Sequence, residues 1–316
     1  MLLDFTDLPE AVSLRARSLG SIGEEWIATL GETVRNLALE WQFVPRNILS
    51  GGSESLILTV ALGDESSAVL KIGMPGVCDC TKEANVLRIA NGTGYPRLIG
   101  SHEGYNALLL ERLGGRLAKM NLPVSEQIEV LCQTLQDAWI PLESSQGLMA
   151  GSDKARSLSE FIEFAWRDLG KPVTVATKDL ALAFAIEREA AFDPYHCVLV
   201  HGDAHSHNAL RTLNESAKYK FIDPDGLFAE PAFDPGVSMR DWNGELLAGD
   251  VIALGKARCR TLAMLTNTDE RAVWQWGFME RVSTGLHMMQ IGMKQLGVQT
   301  LVVADLLSNR SIPWNR

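Results

Sequence analysis

Long apolar runs are missing from this 316-residue chain. Charges interrupt its hydrophobic stretches well short of the roughly 20 residues that a membrane-spanning helix needs, so no membrane segment is expected. The opening Met1-Leu2-Leu3-Asp4 has neither the basic start nor the cleavage site of a secretory signal, and a cytoplasmic location is expected. Cysteine is scarce. Five of them, an odd number, give no disulfide framework and suit a reducing compartment. Cys78-Asp79-Cys80 is too isolated to read as a metal site. Positive charge is also short, 29 Lys and Arg against 39 Asp and Glu for a net charge of -10. That balance argues against non-specific nucleic-acid binding, which needs a basic surface, and favours a small cationic ligand. The plainer alternative is that the acidity aids solubility. There is no internal repeat and no low-complexity segment, and nothing in the sequence gives the oligomeric state.

What is present begins with a helical pattern over residues 7–39, carried by Trp26, Ile27, Leu30, Val34, Leu37 and Ala38. After Pro45 the period changes. Residues 55–62 and 67–72 read as strands joined by a tight turn at Gly63-Asp64, and Lys71 stands at the end of the second. Residues 79–89 read as a helix carrying Glu83. Residues 96–100 and 106–111 read as two more strands. Helical spacing then dominates, over 125–139 with Ser125 as its N-cap, 157–168, 178–192, 250–265, 270–282 and 284–296. Trp274, Trp276, Met288, Met289 and Met293 read as core.

The densest chemistry lies in residues 200–226. The apolar run Cys197-Val198-Leu199-Val200 delivers His201-Gly202-Asp203 onto a polar loop, and Asn208 follows Asp203 by five positions. Protein kinases use this spacing: the Asp accepts the proton of the attacking hydroxyl, and the Asn carbonyl oxygen holds Mg²⁺ on the nucleotide phosphates. A second apolar run, Tyr219-Lys220-Phe221-Ile222, ends on Asp223, where a kinase places its other Mg²⁺-binding aspartate. Residues 209–212 and 218–222 flank a polar turn, Asn214-Glu215-Ser216, as two paired strands would. Such a hairpin brings Asn208 and Asp223 to one end.

Other segments complete the pattern. Lys71 occupies the place of the phosphate-binding lysine on a kinase's third strand, with Glu83 as its partner, and a pair of unrelated surface charges is the alternative. Gly51, Gly52 and Ser53 stand where a phosphate-covering loop belongs, although the stretch is shorter than a full G-x-G-x-x-G and alone would be an ordinary turn. Main-chain groups near Glu111 and Leu113 stand where adenine would bind. A rival reading gathers His201, Asp203, His205 and His207 into a Zn²⁺ or di-metal hydrolase site. His201 and His205 also read as hydrogen-bonded histidines that brace the turn.

His201-Gly202-Asp203-x-His205-x-x-Asn208 followed by Ile222-Asp223-Pro224 resembles the signature of the aminoglycoside phosphotransferase family. Leu109-Leu110-Glu111-Arg112-Leu113, Ile222-Asp223-Pro224-Asp225 and Glu230-Pro231-Ala232-Phe233-Asp234-Pro235 narrow the likeness to the aminoglycoside/hydroxyurea resistance kinases, which include streptomycin 6-phosphotransferases. With Trp26 and the Lys71 segment, the resemblance spans most of the chain.

The resemblance implies an α+β, bilobal, protein-kinase-like fold, with a five-stranded antiparallel N-terminal lobe over residues 1–113 and a mainly helical C-terminal lobe over 114–316. It implies transfer of the γ-phosphate of ATP or GTP, with Mg²⁺, to a hydroxyl of a streptomycin-like aminoglycoside at its 6-position. Asp203 is then the catalytic base, Asn208 and Asp223 the metal ligands, and Lys71 and Glu83 the phosphate-binding pair. Asp225, Glu230, Asp241 and Glu245 are the expected acidic contacts for a cationic substrate, while Asp234 is expected to cap a helix or brace the catalytic loop. A metabolic kinase acting on another sugar or amino alcohol, and a catalytically silent binding module of the same fold, are the alternatives.

Overall fold

The computed structural model describes residues 8–215 and 217–308. Residues 1–4, the expected helix start at Asp7, and Ser216 of the expected hairpin turn lie outside them. The chain divides into two compact units. One comprises the chain up to Gly114 together with Arg211–Lys220, and the other comprises Gly115–Leu210 and the chain from Phe221 onward.

The first unit opens with α1 (Glu10–Ser18) and α2 (Ser21–Trp41). The single helix expected over 7–39 is thus two. The break falls at Gly20, whose φ of 59° lies in the left-handed region that glycine adopts without a Cβ penalty. Gly23 then lets the two helices close on each other, since a Cβ there would lie 1.9 Å from the Ala16 carbonyl oxygen. Next come β1 (Val44–Ile48), β2 (Ser55–Ala61), β3 (Ser67–Gly73), α3 (Cys80–Ala90), β4 (Leu98–His102) and β5 (Ala107–Glu111).

The strands form one antiparallel sheet in the order β1-β2-β3-β5-β4. β1 escaped the sequence reading because Pro45, Arg46 and Asn47 are poor strand formers. It lies at the sheet edge, where a missing N–H is tolerated. The β2–β3 connection is longer than the expected two-residue turn: Leu62 N–H donates to the Ser66 carbonyl at 2.8 Å, and Glu65, not Gly63, holds the positive φ, at 65°. Trp26, Leu30, Val34 and Leu37 from α2 share one core with Leu56, Leu58, Val60, Leu70 and Ile72 of the sheet. Alternating strand side chains thus meet the apolar stripe of a helix.

The second unit contains α4 (Val124–Ala138), β6 (Ile140–Pro141), β7 (Met149–Ala150), α5 (Gly151–Asp168), α6 (Val175–Ala190), β8 (Val198–Val200) and β11 (Leu227–Ala229), and continues with α7 (Phe233–Ser238), α8 (Asn243–Leu247), α9 (Val251–Thr266), α10 (Glu270–Gln290) and α11 (Lys294–Ser308). Between β8 and β11 the hairpin strands β9 (Ala209–Arg211) and β10 (Tyr219–Phe221) pair with each other. A small sheet of order β6-β8-β11-β7 holds the ends of the functional loops.

Three expectations need correction here. α4 starts at Val124 after Pro123, so Ser125 lies inside the helix and is not its N-cap. The helices expected over 270–282 and 284–296 are one helix, α10, which runs to Gln290, and the break comes at Gly292 with φ 85°. The reason is burial. Residues 272–283 are buried without interruption, so α10 presents no amphipathic stripe from which to read its limits. Trp274 and Trp276 are core as expected, but Met288 and Met289 are half-buried and Met293 is exposed. None of the five cysteines forms a disulfide. Among the described residues no helix is long and apolar enough to cross a membrane.

Candidate active site

In the first unit, β3 carries Lys71 and α3 presents Glu83 toward it. Lys71 Nζ lies 2.5 Å from Glu83 Oε2, and both side chains are buried. The N-cap Asp79 sets the start of α3 by accepting from Thr81 N–H at 3.0 Å, which fixes where Glu83 falls on the helix. A buried ion pair of this kind persists only when both charges are satisfied, because removing either leaves the other stranded in low dielectric. The alternative of unrelated surface charges is therefore excluded.

Gly51, Gly52 and Ser53 form the connection between β1 and β2. Gly51 has φ 121°, and a Cβ on Gly52 would lie 3.4 Å from the Ser55 carbonyl oxygen. Glu111 ends β5. Its carboxylate accepts from Lys220 Nζ at 2.7 Å and from Arg97 N–H at 2.9 Å, and its own N–H donates to the Arg97 carbonyl. Leu113 follows it, just before the unit boundary at Gly114.

In the second unit, β8 leads straight into the loop 201–208. Gly202 takes φ 90° there, and a Cβ on it would lie 2.7 Å from Asp225 Cβ, so the turn admits glycine alone on both counts. Asp234 at the start of α7 holds the loop from below. Oδ2 accepts the N–H of His201 at 2.8 Å and Nε1–H of Trp139 at 3.0 Å, and Oδ1 accepts the N–H of Gly202 at 2.9 Å. Of the two structural uses expected for Asp234, it performs the loop brace. Burial pushes its pKa up, against the pull of His201 and of the donors around it. Ser238, at the other end of α7, donates to the Ala204 carbonyl at 3.0 Å.

The histidines are fixed by their partners. His201 Nε2 faces the Ile222 carbonyl at 2.9 Å and must donate, so Nδ1 accepts the Asp203 N–H at 3.1 Å. His205 Nδ1 accepts the His207 N–H at 3.3 Å, so Nε2 donates to Asp203 Oδ2 at 3.2 Å. Both rings therefore brace the loop, and the one lone pair of each, on Nδ1, is engaged by a backbone N–H. Among the described residues no group of three or more His, Cys, Asp or Glu is arranged to hold a metal ion. The hydrolase reading of His201, Asp203, His205 and His207 is thereby overturned.

Asn208 Nδ2 donates to the carbonyl and to Oδ2 of Asp203, both at 3.1 Å. Two acceptors on one side fix the amide orientation, so Asn208 Oδ1 is turned away from Asp203. The Asn208 carbonyl in turn accepts Ile222 N–H at 2.9 Å, closing the mouth of the β9–β10 hairpin and bringing Asp223 to the same end. Asp223 itself is exposed and holds a φ of 56°. An amide oxygen and a carboxylate at one hairpin mouth form a small hard-donor set, which suits Mg²⁺ because that ion keeps several waters and takes further ligands from phosphate.

Asp203 Oδ1 pairs with Nη2 of Arg240, whose Nη1 reaches Glu280 Oε2 at 3.2 Å and Thr284 Oγ1 at 3.3 Å on α10. Burial alone would raise the Asp203 pKa. The Arg240 charge, followed by the hydrogen bond and charge of His205, instead holds it well below the usual carboxylate range. Arg240 appeared in the sequence only as a lone base in an acidic stretch, and Glu280 carried no signal at all.

The four expected acidic substrate contacts separate. Asp225 is exposed, with Lys154 Nζ 3.9 Å away. Asp241 is half-buried and acts on the loop electrostatically: burial and His205 push the His207 pKa down, and Asp241 opposes them. Glu230 is engaged by Arg188 Nη1 at 3.1 Å and Trp276 Nε1 at 2.8 Å, and Glu245 by Arg258 Nη2 at 2.5 Å. Those last two carboxylates are bonded to arginines, whereas Asp225 has only the longer ion pair with Lys154.

Comparison with known proteins agrees with this geometry. The aminoglycoside/hydroxyurea antibiotic resistance kinase family matches residues 40–290. A streptomycin 6-kinase of Streptomyces glaucescens is 26% identical over 305 residues, covering 95% of this chain and 97% of that one. A hydroxyurea phosphotransferase of Kitasatospora aureofaciens is 26% identical over 277 residues, covering 84% of this chain and 79% of that one. Among solved structures, an amicoumacin kinase in complex with AMP-PNP, Ca²⁺ and its ligand superposes with a TM-score of 0.55 at 11% identity, covering 87% of this chain and 93% of that one. This last likeness shows the protein-kinase-like fold of the phosphotransferases. The family match extends from the end of α2 through the 201–208 loop to the end of α10, and on it the chain belongs to the aminoglycoside/hydroxyurea antibiotic resistance kinases.

Proposed function

We propose that the chain transfers the γ-phosphoryl group of ATP or GTP to a hydroxyl of a cationic small molecule, with the 6-hydroxyl of a streptomycin-like aminoglycoside as the leading acceptor. The observation that carries the reading is the bonded set Asp203–Asn208 at the mouth of the hairpin that ends on Asp223. The full-length similarity to a streptomycin 6-kinase supports the acceptor, and the AMP-PNP and Ca²⁺ bound by the amicoumacin kinase support a nucleotide with a divalent ion.

In the proposed reaction the Asp203 carboxylate orients the acceptor hydroxyl and takes its proton as the oxygen bonds to the γ-phosphorus. The bond to the bridging oxygen breaks, and the nucleoside diphosphate leaves. Asn208 Oδ1 and the Asp223 carboxylate would hold Mg²⁺, which when bound neutralises charge on the phosphates. Lys71, fixed by Glu83, would hold the α- and β-phosphates, and the Gly51-Gly52-Ser53 backbone would cover them. Because the Glu111 N–H is donated to Arg97, an adenine contact at Glu111 has to use its carbonyl, with Leu113 supplying a donor. Asp225 and Asp241 would attract the cationic acceptor.

A second reading, phosphorylation of a small neutral acceptor of the hydroxyurea kind, draws support from the engagement of Glu230 and Glu245 with arginines, which thins the acidic rim. It also draws on the hydroxyurea phosphotransferase among the relatives. Incubation with Mg·ATP or Mg·GTP and either an aminoglycoside panel or hydroxyurea, followed by product mass and NMR assignment of the modified position, separates the readings. Absence of a phosphorylated product from every acceptor would defeat both.

A further inference from the structure

Arg240 has no assigned part in the reaction, yet it occupies a central place in the second unit. Its guanidinium bridges Asp203 on the loop and Glu280 and Thr284 on α10. Glu280 is buried, and its second oxygen, Oε1, has no hydrogen-bond partner; Arg240 is the cation bonded to it, and Lys154 adds its charge without a bond. A buried carboxylate with a single bonded cation is costly unless that cation stays in place. The pair therefore anchors the guanidinium to α10, whose residues 272–283 are buried without interruption, and leaves Nη2 of the fork for Asp203. His205 and Asn208 hold the other Asp203 oxygen, but both belong to the loop itself. Arg240 and Glu280 are what tie the carboxylate to the helical core.

Resting on the phosphotransfer reading above, we propose that Arg240, anchored by Glu280 and Thr284, is a positioning residue that fixes the orientation of the Asp203 carboxylate. It does not touch the nucleotide or the acceptor. A plain structural staple between α7 and α10 would account for the Glu280 pairing but not for the contact to Asp203, and the two uses give different kinetics.

The test measures R240A, R240K and E280Q with Mg·ATP and whichever of streptomycin and hydroxyurea the wild type phosphorylates. Misplacing a catalytic group by about 1 Å costs on the order of 10²-fold. R240A is accordingly expected to lose about that factor in kcat with nucleotide KM nearly unchanged, and guanidinium at concentrations far below denaturing should restore much of the loss. R240K, which keeps the charge without the fork, falls between. E280Q loses less, because Arg240 keeps its hold on Asp203 and Thr284. Wild-type kcat in folded R240A, or a loss that guanidinium leaves untouched and that follows the fall in melting temperature, overturns the proposal. If R240A does not fold, R240K and E280Q decide: wild-type kcat in both overturns it, and a lowered kcat at unchanged KM supports it. A wild type that phosphorylates neither acceptor defeats the functional reading instead, as does full activity in D203A.

Discussion

Asp234→Asn isolates the loop brace with almost no change of shape. The carboxylate serves three donors, the part-buried Trp139 Nε1–H and the buried His201 N–H on Oδ2 and the buried Gly202 N–H on Oδ1. An amide has one acceptor oxygen. Turned to keep His201 N–H and Trp139 Nε1–H, it sets its own NH₂ against the Gly202 N–H; turned the other way it loses two bonds instead of one. The better orientation strands one buried donor, at about 1–3 kcal/mol, and demotes two charge-assisted bonds to neutral ones, at about 1 kcal/mol in total. Relief of carboxylate burial, the force that pushes the Asp234 pKa up, offsets part of this. The expected loss is about 2 kcal/mol, read as a lowered urea midpoint at neutral pH. Asp234→Ala strands all three donors and should lose more. The kinetic effect should follow, because both variants free the N–H of Gly202 at φ 90°, directly before Asp203, and Asp234→Ala frees that of His201 as well. A drop in kcat with nucleotide KM retained is expected for both variants. An Asp234→Asn protein within about 0.5 kcal/mol of wild type, the ordinary scatter of surface substitutions, would refute the reasoning.

Four further outcomes are expected. Asp203→Ala should cut kcat by roughly 10²–10⁴ while nucleotide binding, followed by fluorescence titration, is largely kept. Asp223→Asn should weaken Mg²⁺-dependent nucleotide binding and nearly abolish turnover, and turnover that persists in excess EDTA would count against the metal assignment. Glu83→Gln removes the carboxylate from a buried ion pair, so it should destabilise the fold and raise nucleotide KM; an unchanged melting temperature would show that the pair is not what holds the lysine. KM for an aminoglycoside acceptor should rise with ionic strength and on Asp241→Asn or Asp225→Asn, and much less on Glu245→Gln, whose partner is Arg258. A neutral acceptor should show none of this dependence.

The parts of the molecule legible in the sequence are those whose determinants sit close together in it. The β2–β3 pair alternates inward apolar side chains over a few residues, and the Lys71–Glu83 pair spans twelve positions. Loop 201–208 carries its own bracing histidines and its own amide. β1 was lost to Pro45, whose missing N–H is harmful in a central strand and harmless on the edge it occupies. α10 was cut in two because burial on every side erased its period.

The supports of the loop were harder to read for the same physical reason. Asp203 is held by Arg240 from 37 positions away, and Arg240 by Glu280 from a further 40. Neither distance leaves a periodic or motif-like trace, and a buried charged side chain looks like a surface one until its partner is known. The acidic stretch after Asp223 shows the converse: residues alike in sequence divide by their partners, with Glu230 and Glu245 paired to arginines and Asp225 and Asp241 left to the loop side of the unit. Asp234, Ser238 and Arg240 lie within seven residues on and just after one short helix, and each bonds a different point of the loop. Substitutions along α7 should therefore move kcat without any contact to nucleotide or acceptor, whereas substitutions at Asp225 and Asp241 should move acceptor KM alone.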